Sequence, residues 1–237
     1  MMGSAREYSP SLPPSPYGPW TGLPESIAAD LFGHAELSGL KPGEVLFEVG
    51  ESGNGFYLLD KGLLKVVLTS FDNEDVIIAL LTPGTIVGDL AVIDEMPRAA
   101  SVVALLECKL RFVSKAAFER CCEKRPDIYQ CLARILASRL REANECIAAH
   151  TLSPVKARIA RALLRVAEIL GQRTAGGIAV PDTIRQRDIA AMAGVARETV
   201  NRVLHEWEHN KVVTKVGHSY LIADIRALER EVTGEFQ

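Results

Sequence analysis

An arginine within an apolar, strand-like stretch is the first residue whose position requires a chemical explanation. Residues 86–104 read IVGDLAVIDEMPRAASVVA, so Arg98 lies among short apolar runs separated by turn residues. Arginine is almost never buried without a partner. A phosphate group fits that role, because the planar guanidinium can donate to two of its oxygens and nearby backbone N–H groups can complete an anion site. The stretch therefore predicts a phosphate-binding loop.

A second group of chemically capable residues lies near the C-terminus, in RQRDIAAMAGVARETVNRVLHEWEHNKVV at residues 185–213. Small and apolar residues predict a first helix, Gly194 predicts a tight turn, and the apolar residues from Val200 to Leu204 predict a buried face on a second helix. The outer face of that second helix begins with Arg197, Glu198, Asn201 and Arg202.

The residue types on this outer face are those that read base edges in a DNA groove. Arginine matches the O6 and N7 acceptors of guanine, and glutamate accepts from the N4 amine of cytosine. A solvated helix with an ion pair between Glu198 and Arg202 is the simpler alternative. That alternative does not explain the small-residue first helix, the glycine turn and the β-hairpin that VVTKVGHSYLIAD predicts around Gly217. We therefore interpret the segment as a DNA-binding helix-turn-helix.

The elements that would position these residues follow from the spacing of turns. Between residues 40 and 113, short β-rich runs are separated by breaks of Gly, Pro, Asn and Asp, a pattern typical of a β-sandwich or a small jelly-roll barrel. Residues 24–33 predict a short helix ended by Gly33. Residues 171–182, GQRTAGGIAVPD, predict a loop.

A long helix is predicted from Asp127 to about residue 150, where the chain has no Pro or Gly. Its apolar residues repeat at spacings of three and four, which indicates one apolar stripe, and charged residues such as Arg139 are predicted on its other faces. The stripe consists of Ile128, Leu132, Ile135, Leu136, Leu140, Ala143 and Ile147. It fits either a seam between two helices of a homodimer or a helix packed on its own barrel, and we favour the dimer seam.

Charge and composition limit the function classes. Residues 151–237 carry 13 Lys and Arg against 10 Asp and Glu, whereas residues 1–150 carry 14 against 20, so the positive charge lies with the predicted helix-turn-helix. The N-terminus has no apolar core of a secretory signal, and no run approaches the roughly 20 apolar residues that span a bilayer. Five cysteines without a C-x-x-C motif predict free thiols in a reducing cytoplasm rather than a metal site. The histidines form no metal-spaced set and no nucleophile motif is present, so we do not predict an enzyme.

The segment ARETVNRVL resembles the recognition-helix pattern R-E-T-V-x-R of the CRP/FNR family of bacterial transcription regulators, and the resemblance covers about residues 40–226. It implies an α+β chain with an N-terminal β jelly-roll of the cyclic-nucleotide-binding type, a long dimerisation helix and a C-terminal winged helix-turn-helix. The implied boundaries are residues 1–22 for a disordered arm, 23–126 for the barrel, 127–152 for the helix and 153–237 for the DNA-binding domain.

By the same resemblance, the partner is double-stranded DNA, and RNA polymerase is a further partner. Arg197, Glu198 and Arg202 are expected to read the bases of a palindromic, TGTGA-like site. The residues expected at phosphates are Arg185, Arg187, Thr199, Lys215 and His218, of which the last two lie on the wing.

Residues 86–104 resemble the phosphate-binding cassette of cyclic-nucleotide-binding domains, which carries G-E-L-A followed by P-R-A-A. The resemblance implies that Arg98 binds the cyclic phosphate of cAMP or cGMP, an allosteric effector and not a tightly bound cofactor. It also implies close backbone approach at Gly88, Leu90 and Ala99, while Asp89 stands where the family has the glutamate that accepts from the ribose 2′-OH. On the long helix, Ala143 and Asn144 replace the Thr-Ser pair of cAMP-binding members, and an asparagine can both donate to and accept from a nucleotide base.

These residues favour a cyclic-nucleotide-responsive, sequence-specific transcription regulator that acts as a homodimer. Control by cyclic di-GMP, haem or redox, or constitutive activity, stays open within the same family. An iron–sulfur version needs clustered N-terminal cysteines, and none precedes Cys108. A nucleotide sensor attached to an enzyme or channel is a third class, which the helix-turn-helix and the lack of a membrane-spanning run disfavour.

Overall fold

The structure, a computed structural model, describes residues 25–33, 35–69, 75–217 and 219–234. The predicted N-terminal arm and His218 lie outside these residues. Within the described ranges, an N-terminal β-rich domain and a C-terminal domain are joined by a long helix. None of the described helices is long and apolar enough to cross a membrane.

Eight strands build the described part of the N-terminal barrel. They are β1 (Glu36–Leu40), β2 (Val45–Phe47), β3 (Gly55–Lys61), β4 (Leu64–Thr69), β5 (Asp75–Leu81), β6 (Ile86–Val87), β7 (Ser101–Ala104) and β8 (Cys108–Ser114). One antiparallel sheet has the order β1-β8-β3-β6 and the other the order β2-β7-β4-β5. Inward-facing residues such as Leu59, Leu64 and Leu110 are fully buried between the sheets. The predicted β-rich region is confirmed, and its first strand begins at Glu36, slightly before residue 40, where the β-rich pattern was expected to start.

Helices close one side of the barrel and lead out of it. They are α1 (Glu25–Phe32), α2 (Leu90–Ile93), α3 (Lys115–Lys124) and α4 (Asp127–Leu152). The hydroxyl of Ser114 caps α3 by accepting from the backbone N of Ala117 at 3.3 Å. The rings of Phe32, Phe56 and Phe118 then pack edge to face between α1, the barrel and α3.

The predicted apolar stripe of helix α4 consists of a buried part and an exposed part. Ile128 and Leu132 near its start are 0% and 4% exposed, in one apolar cluster with residues of α1 and α3. Leu140 and Ile147, further along, are 63% and 64% exposed. The packing on the barrel is therefore found for the first part of the helix, and the dimer seam stays a prediction for the later part. The first turns of the helix pack on the barrel domain, and its later turns present apolar side chains to solvent.

The C-terminal domain carries the predicted helix-turn-helix and hairpin. Its elements are α5 (Val155–Leu170), β9 (Gln172–Thr174), β10 (Gly177–Val180), α6 (Gln186–Ala193), α7 (Arg197–His209), β11 (Val213–Val216), β12 (Ser219–Ile222) and α8 (Ile225–Thr233). Gly194 ends α6 in the left-handed region, at φ 60°, which a side-chain-bearing residue rarely adopts. The turn between α6 and α7 is therefore confirmed where glycine predicted it.

The prediction that residues 171–182 form a loop is wrong. Strands β9 and β10 form an antiparallel hairpin there, and β10 pairs with β12 of the wing. Val180 is 0% exposed and lies opposite Tyr220. The apolar run GIAV is short and follows several turn-forming residues, so its strand conformation depends on a tertiary pairing that local sequence does not contain.

The outer face of β4 and β5 packs against the C-terminal domain. Leu63, Val67, Ile77 and Leu80 belong to one apolar cluster with residues of α5, α6 and α7, and α6 packs directly on β5. The inner faces of the same strands fill the barrel. Burial on both faces explains why LLKVVL and DVIIALL are nearly continuous apolar runs rather than alternating ones.

Candidate nucleotide site and DNA-binding face

Arg98 is buried in the loop that follows α2, with 4% of its surface exposed. Its Nη1 donates to the carbonyl of Gly88 at 2.5 Å and its Nη2 to the carbonyl of Gly55 at 2.8 Å. The guanidinium lies over the ring of Phe47, 4.2 Å from the ring centre. Its buried Nε has no hydrogen-bond partner among the described residues. A buried donor without a partner costs about 1–3 kcal/mol, so this geometry favours a ligand with acceptor oxygens.

The backbone around Arg98 is fixed by the neighbouring loop. The N–H of Arg98 donates to the carbonyl of Glu51 at 2.8 Å, and the N–H of Gly50 donates to the carbonyl of Arg98 at 2.8 Å. Gly88 has φ +83°, and a Cβ there would collide with the Arg98 guanidinium and approach the Phe47 ring. Glycine at position 88 is therefore needed both for the turn and for the space that the arginine occupies.

The site keeps a positive charge. Burial lowers the pKa of Arg98 from its ordinary value, while Tyr57, Glu51 and Asp89 oppose that shift. Burial also raises the pKa of the Tyr57 hydroxyl, against the effect of Arg98. An arginine remains protonated in proteins, so Arg98 carries a positive charge that can pair with an anion.

Asp89 has a partner on the long helix that sequence analysis missed. Its Oδ2 lies 2.7 Å from Nη1 of Arg139, and the two side chains are 6% and 13% exposed. Arg139 also donates to the carbonyl of Ile86 at 3.3 Å. The prediction that Arg139 lies on an exposed face is therefore wrong. It follows Leu132 by seven residues and Ile135 by four, and this spacing places it on the barrel-facing side of α4.

Not all predicted nucleotide-site residues lie together. The carbonyl of Gly88 accepts from the Arg98 guanidinium, and Asp89 follows Gly88 directly in the chain. Leu90 and Ala99, the residues after Asp89 and Arg98, are exposed. Asn144 is exposed on α4, five residues beyond Arg139 and therefore about 140° around the helix axis from it. It shares a face with Leu140 and Ile147, not with the residue that contacts Asp89.

The predicted base-reading residues all lie at exposed positions near the start of α7. Arg197, Glu198 and Arg202 are exposed. The buried face of the helix consists of Val200, Val203, Leu204 and Trp207. Of the residues expected at phosphates, the exposed ones are Arg185 just before α6, Arg187 in its first turn and Lys215 on β11, whereas Thr199 is half-buried.

Contacts between elements hold this face in place, and sequence analysis missed them. The side chain of Gln186 at the start of α6 donates to the hydroxyl of Tyr220 at 2.7 Å and to Oδ1 of Asn201 at 3.5 Å. It therefore contacts the wing strand β12 and approaches α7. Lys156 of α5 forms an ion pair with Glu206 of α7. These pairs join distant positions, so no local pattern could indicate them.

Comparisons with known proteins match both domains. Residues 38–125 match the cyclic nucleotide-binding domain, and residues 157–231 match the Crp-like helix-turn-helix domain. A CRP-like cAMP-activated global transcriptional regulator from Mycobacterium tuberculosis (strain CDC 1551 / Oshkosh) is 29% identical over 213 residues, 90% of this chain and 95% of the relative. A cyclic AMP receptor protein from Thermus thermophilus is 33% identical over 171 residues, 72% of this chain and 76% of the relative.

Solved structures share the arrangement of the two domains. A CRP-family transcriptional regulator from Thermus thermophilus matches with a TM-score of 0.72 and 25% identity, over 83% of this chain and 96% of that one. A c-di-GMP responsive global regulator from Xanthomonas campestris has the same fold, with a TM-score of 0.74 at 16% identity over 84% of this chain and 99% of that one.

Proposed function

Because the chain belongs to the CRP/FNR family of bacterial transcription regulators, we propose that its binding to a specific operator is controlled by a cyclic mononucleotide. The chain is a DNA-binding regulator with a cyclic nucleotide-binding domain. The observation that carries the proposal is the buried Arg98, whose Nε has no partner among the described residues. Its guanidinium supplies the charge and the donors for a cyclic phosphate.

The residues around Arg98 define how the nucleotide is held. Gly88, Leu90 and Ala99 allow close approach of the main chain, and Asp89 supplies an acceptor for the ribose. Cyclic AMP is the first candidate and cyclic GMP the second, since the names of the Mycobacterium and Thermus relatives refer to cyclic AMP. The nucleotide acts as an allosteric effector.

We propose a homodimer whose seam is the exposed part of α4. The exposure of Leu140 and Ile147 supports this, because large apolar side chains in a row are normally covered. Asn144 lies on the same face. We propose that the nucleotide held by Arg98 and Asp89 contacts Asn144 with its base.

The DNA-binding domain contacts a palindromic, TGTGA-like operator. Arg197, Glu198 and Arg202 read bases, supported by their common exposure on α7. Phosphate contacts come from Arg185, Arg187, Thr199, Lys215 and His218. RNA polymerase is the protein partner at the promoter. The domain limits are 23–126 for the barrel, 127–152 for the dimerisation helix and 153–237 for the DNA-binding domain, with 1–22 as an arm.

Two titrations test this function. Calorimetry with cyclic AMP, cyclic GMP and cyclic di-GMP measures binding, and fluorescence anisotropy measures operator affinity with and without each nucleotide at one salt concentration. Arg98→Leu removes the charge partner of the phosphate, so it abolishes nucleotide binding. Arg111→Leu is the matched control, because Arg111 pairs with Asp60 on the barrel surface, where both side chains are 34% exposed.

Wild-type binding of a cyclic mononucleotide, lost in Arg98→Leu and kept in Arg111→Leu, supports the proposal. If neither cyclic AMP nor cyclic GMP changes operator affinity, control by a cyclic mononucleotide is wrong. A response to cyclic di-GMP, haem or oxidation then identifies the effector class, and tight operator binding under every condition identifies a constitutive regulator.

A further inference from the structure

A buried ion pair joins the barrel to the DNA-binding domain. Lys65 of β4 and Asp188 of α6 are 123 positions apart in the sequence, yet Nζ of the lysine and Oδ1 of the aspartate are 3.2 Å apart. The side chains are 15% and 5% exposed. Surface pairs contribute little, whereas removal of one partner from a buried pair leaves an uncompensated charge. This contact therefore constrains how the two domains meet.

Lys65 lies within an apolar surface. It is opposite Leu80 on β5 and Val103 on β7 in the sheet register, and directly paired residues share a face. Leu80 belongs to the cluster that includes the core of the DNA-binding domain, and Val103 packs against that cluster. The neighbours of Lys65 along the strand, Leu64 and Val66, instead fill the barrel. A cation that pairs across an otherwise apolar contact surface favours one relative orientation of the two domains.

Asp188 has a second role at the start of α6. Its Oδ2 accepts from the backbone N–H of Arg185 at 3.0 Å and so satisfies a donor at the helix N-terminus. One carboxylate thus contacts the barrel with one oxygen and begins the first helix of the helix-turn-helix with the other. Helix α6 is followed by the Gly194 turn and α7, so the placement of α6 also places the recognition helix.

We propose that the outer face of β4 and β5 positions the DNA-binding domain for operator binding, and that the pair of Lys65 and Asp188 sets its orientation. The inference rests on the proposed function, since it assumes that a dimer binds two half-sites at once. Docking leaves Arg197 and Arg202 on α7 exposed, so it presents the reading face. A domain free to rotate about residues 153–154 must first be ordered before both half-sites are engaged, and that ordering weakens binding.

The same strand also borders the core beneath the nucleotide site. Phe47, which lies under the Arg98 guanidinium, shares an apolar cluster with Leu64 and Val66 on the inner face of β4. Strand β4 therefore contacts this core on one side and the DNA-binding domain on the other. This route from the nucleotide site to α6 is separate from the long helix α4.

Conservative variants of the full-length protein test the inference. Lys65→Met keeps the apolar stem without the charge, and Asp188→Asn keeps an oxygen that can accept from the N–H of Arg185. Each change should weaken operator binding at least about fivefold, near the low end of typical coupling between sites. The dependence of affinity on salt should not change, because no phosphate contact is removed. The double variant should bind about as well as either single variant, since all three lose the same contact.

Two further variants serve as controls. Lys109→Met removes an exposed lysine from strand β8 of the same barrel and should leave operator affinity unchanged. Arg187→Ala removes a proposed phosphate contact and should reduce the salt dependence. Retained nucleotide binding by each variant, measured by calorimetry, establishes that the barrel is folded.

The inference would be overturned if Lys65→Met and Asp188→Asn bound the operator as tightly as the wild type, or lost no more operator affinity than Lys109→Met. A reduced salt dependence of operator binding in either variant would also overturn it. Additive losses in the double variant would also overturn it, because they would show that the two residues act separately. Failure of the proposed function would be visible in the wild-type protein, which would not respond to a cyclic mononucleotide. Failure of this inference would be visible only in the variants.

Discussion

At the scale of single residues, the contact between Asp89 and Arg139 links the nucleotide loop to the long helix. Their charged groups are 2.7 Å apart and both side chains are almost fully buried. Asp89 directly follows Gly88, whose carbonyl accepts from Arg98. A change in the arginine's hydrogen bonds on ligand binding therefore occurs one residue away from a contact with α4.

Asp89→Asn should lower the free energy of unfolding by about 3 kcal/mol, because it leaves Arg139 buried without its counter-charge. It should also weaken nucleotide binding, since Asp89 supports the loop that carries Gly88. Urea denaturation and calorimetry measure the two effects. Asp60→Asn is the control, because its pair with Arg111 is partly exposed and should contribute about 1 kcal/mol or less. Equal losses in the two variants would contradict the structural role assigned to Asp89.

Arg197 and Lys215 should differ in how they affect DNA binding. Arg197→Ala should cost about 1–3 kcal/mol on the operator and relax the preference for one guanine, whereas Lys215→Ala should weaken binding to all sequences alike. Competition binding against operators substituted at each half-site position measures both. If Arg197→Ala loses as much affinity for random DNA as for the operator, Arg197 does not read a base.

At the scale of elements, the first and the later turns of α4 differ in their packing. Its first turns are covered by α1 and α3, and its later turns carry exposed leucine and isoleucine side chains. Arg139 still contacts the barrel domain through Asp89, so the helix packs on this domain at least as far as residue 139. The exposed turns beyond it are the part available to a second copy of the chain.

Leu140→Glu combined with Ile147→Glu should convert the dimer to monomers, because each change places a charge in an apolar seam. Light scattering measures the molar mass. Gln130→Glu combined with Arg134→Glu adds acidic residues to a different face of the same helix and should leave the dimer intact. Dimers of unaltered affinity in the first variant would place the seam elsewhere.

The sequence predicted those elements whose signals are local. Turn residues delimited the strands of the barrel, and Gly194 marked the turn before the recognition helix. The β9–β10 hairpin was missed because its conformation depends on pairing with β12. Arg139 was misplaced because a charged residue on an amphipathic helix is normally exposed, and only its partner Asp89 reverses that expectation. The contact between Lys65 and Asp188 joins two domains and leaves no pattern in either segment.

At the scale of the whole molecule, the nucleotide and the operator are linked through one protein. The coupling free energy between two binding sites is the same in both directions. The factor by which nucleotide tightens operator binding must therefore equal the factor by which operator tightens nucleotide binding. Typical coupling is about 1–3 kcal/mol. A ligand that binds both conformations equally well would shift nothing.

Calorimetry with and without operator measures the change in nucleotide affinity, and anisotropy with and without nucleotide measures the change in operator affinity. We expect the two affinities to change by the same factor at one salt concentration. Asn144→Ala should retain most nucleotide binding and reduce both factors together. Bound nucleotide with no effect on operator affinity would show that the two sites are uncoupled.

The packing of β4 and β5 has a consequence for how the chain can be rearranged. Strand β5 is the edge of its sheet, and α6 lies on it. If the segment beyond residue 154 were exchanged for that of a relative, Val67, Ile77 and Leu80 would face side chains not shaped to cover them. An uncovered strand edge with an apolar face pairs readily with other chains. The two domains are therefore not interchangeable modules, and working chimeras must carry the outer residues of β4 and β5 together with α6.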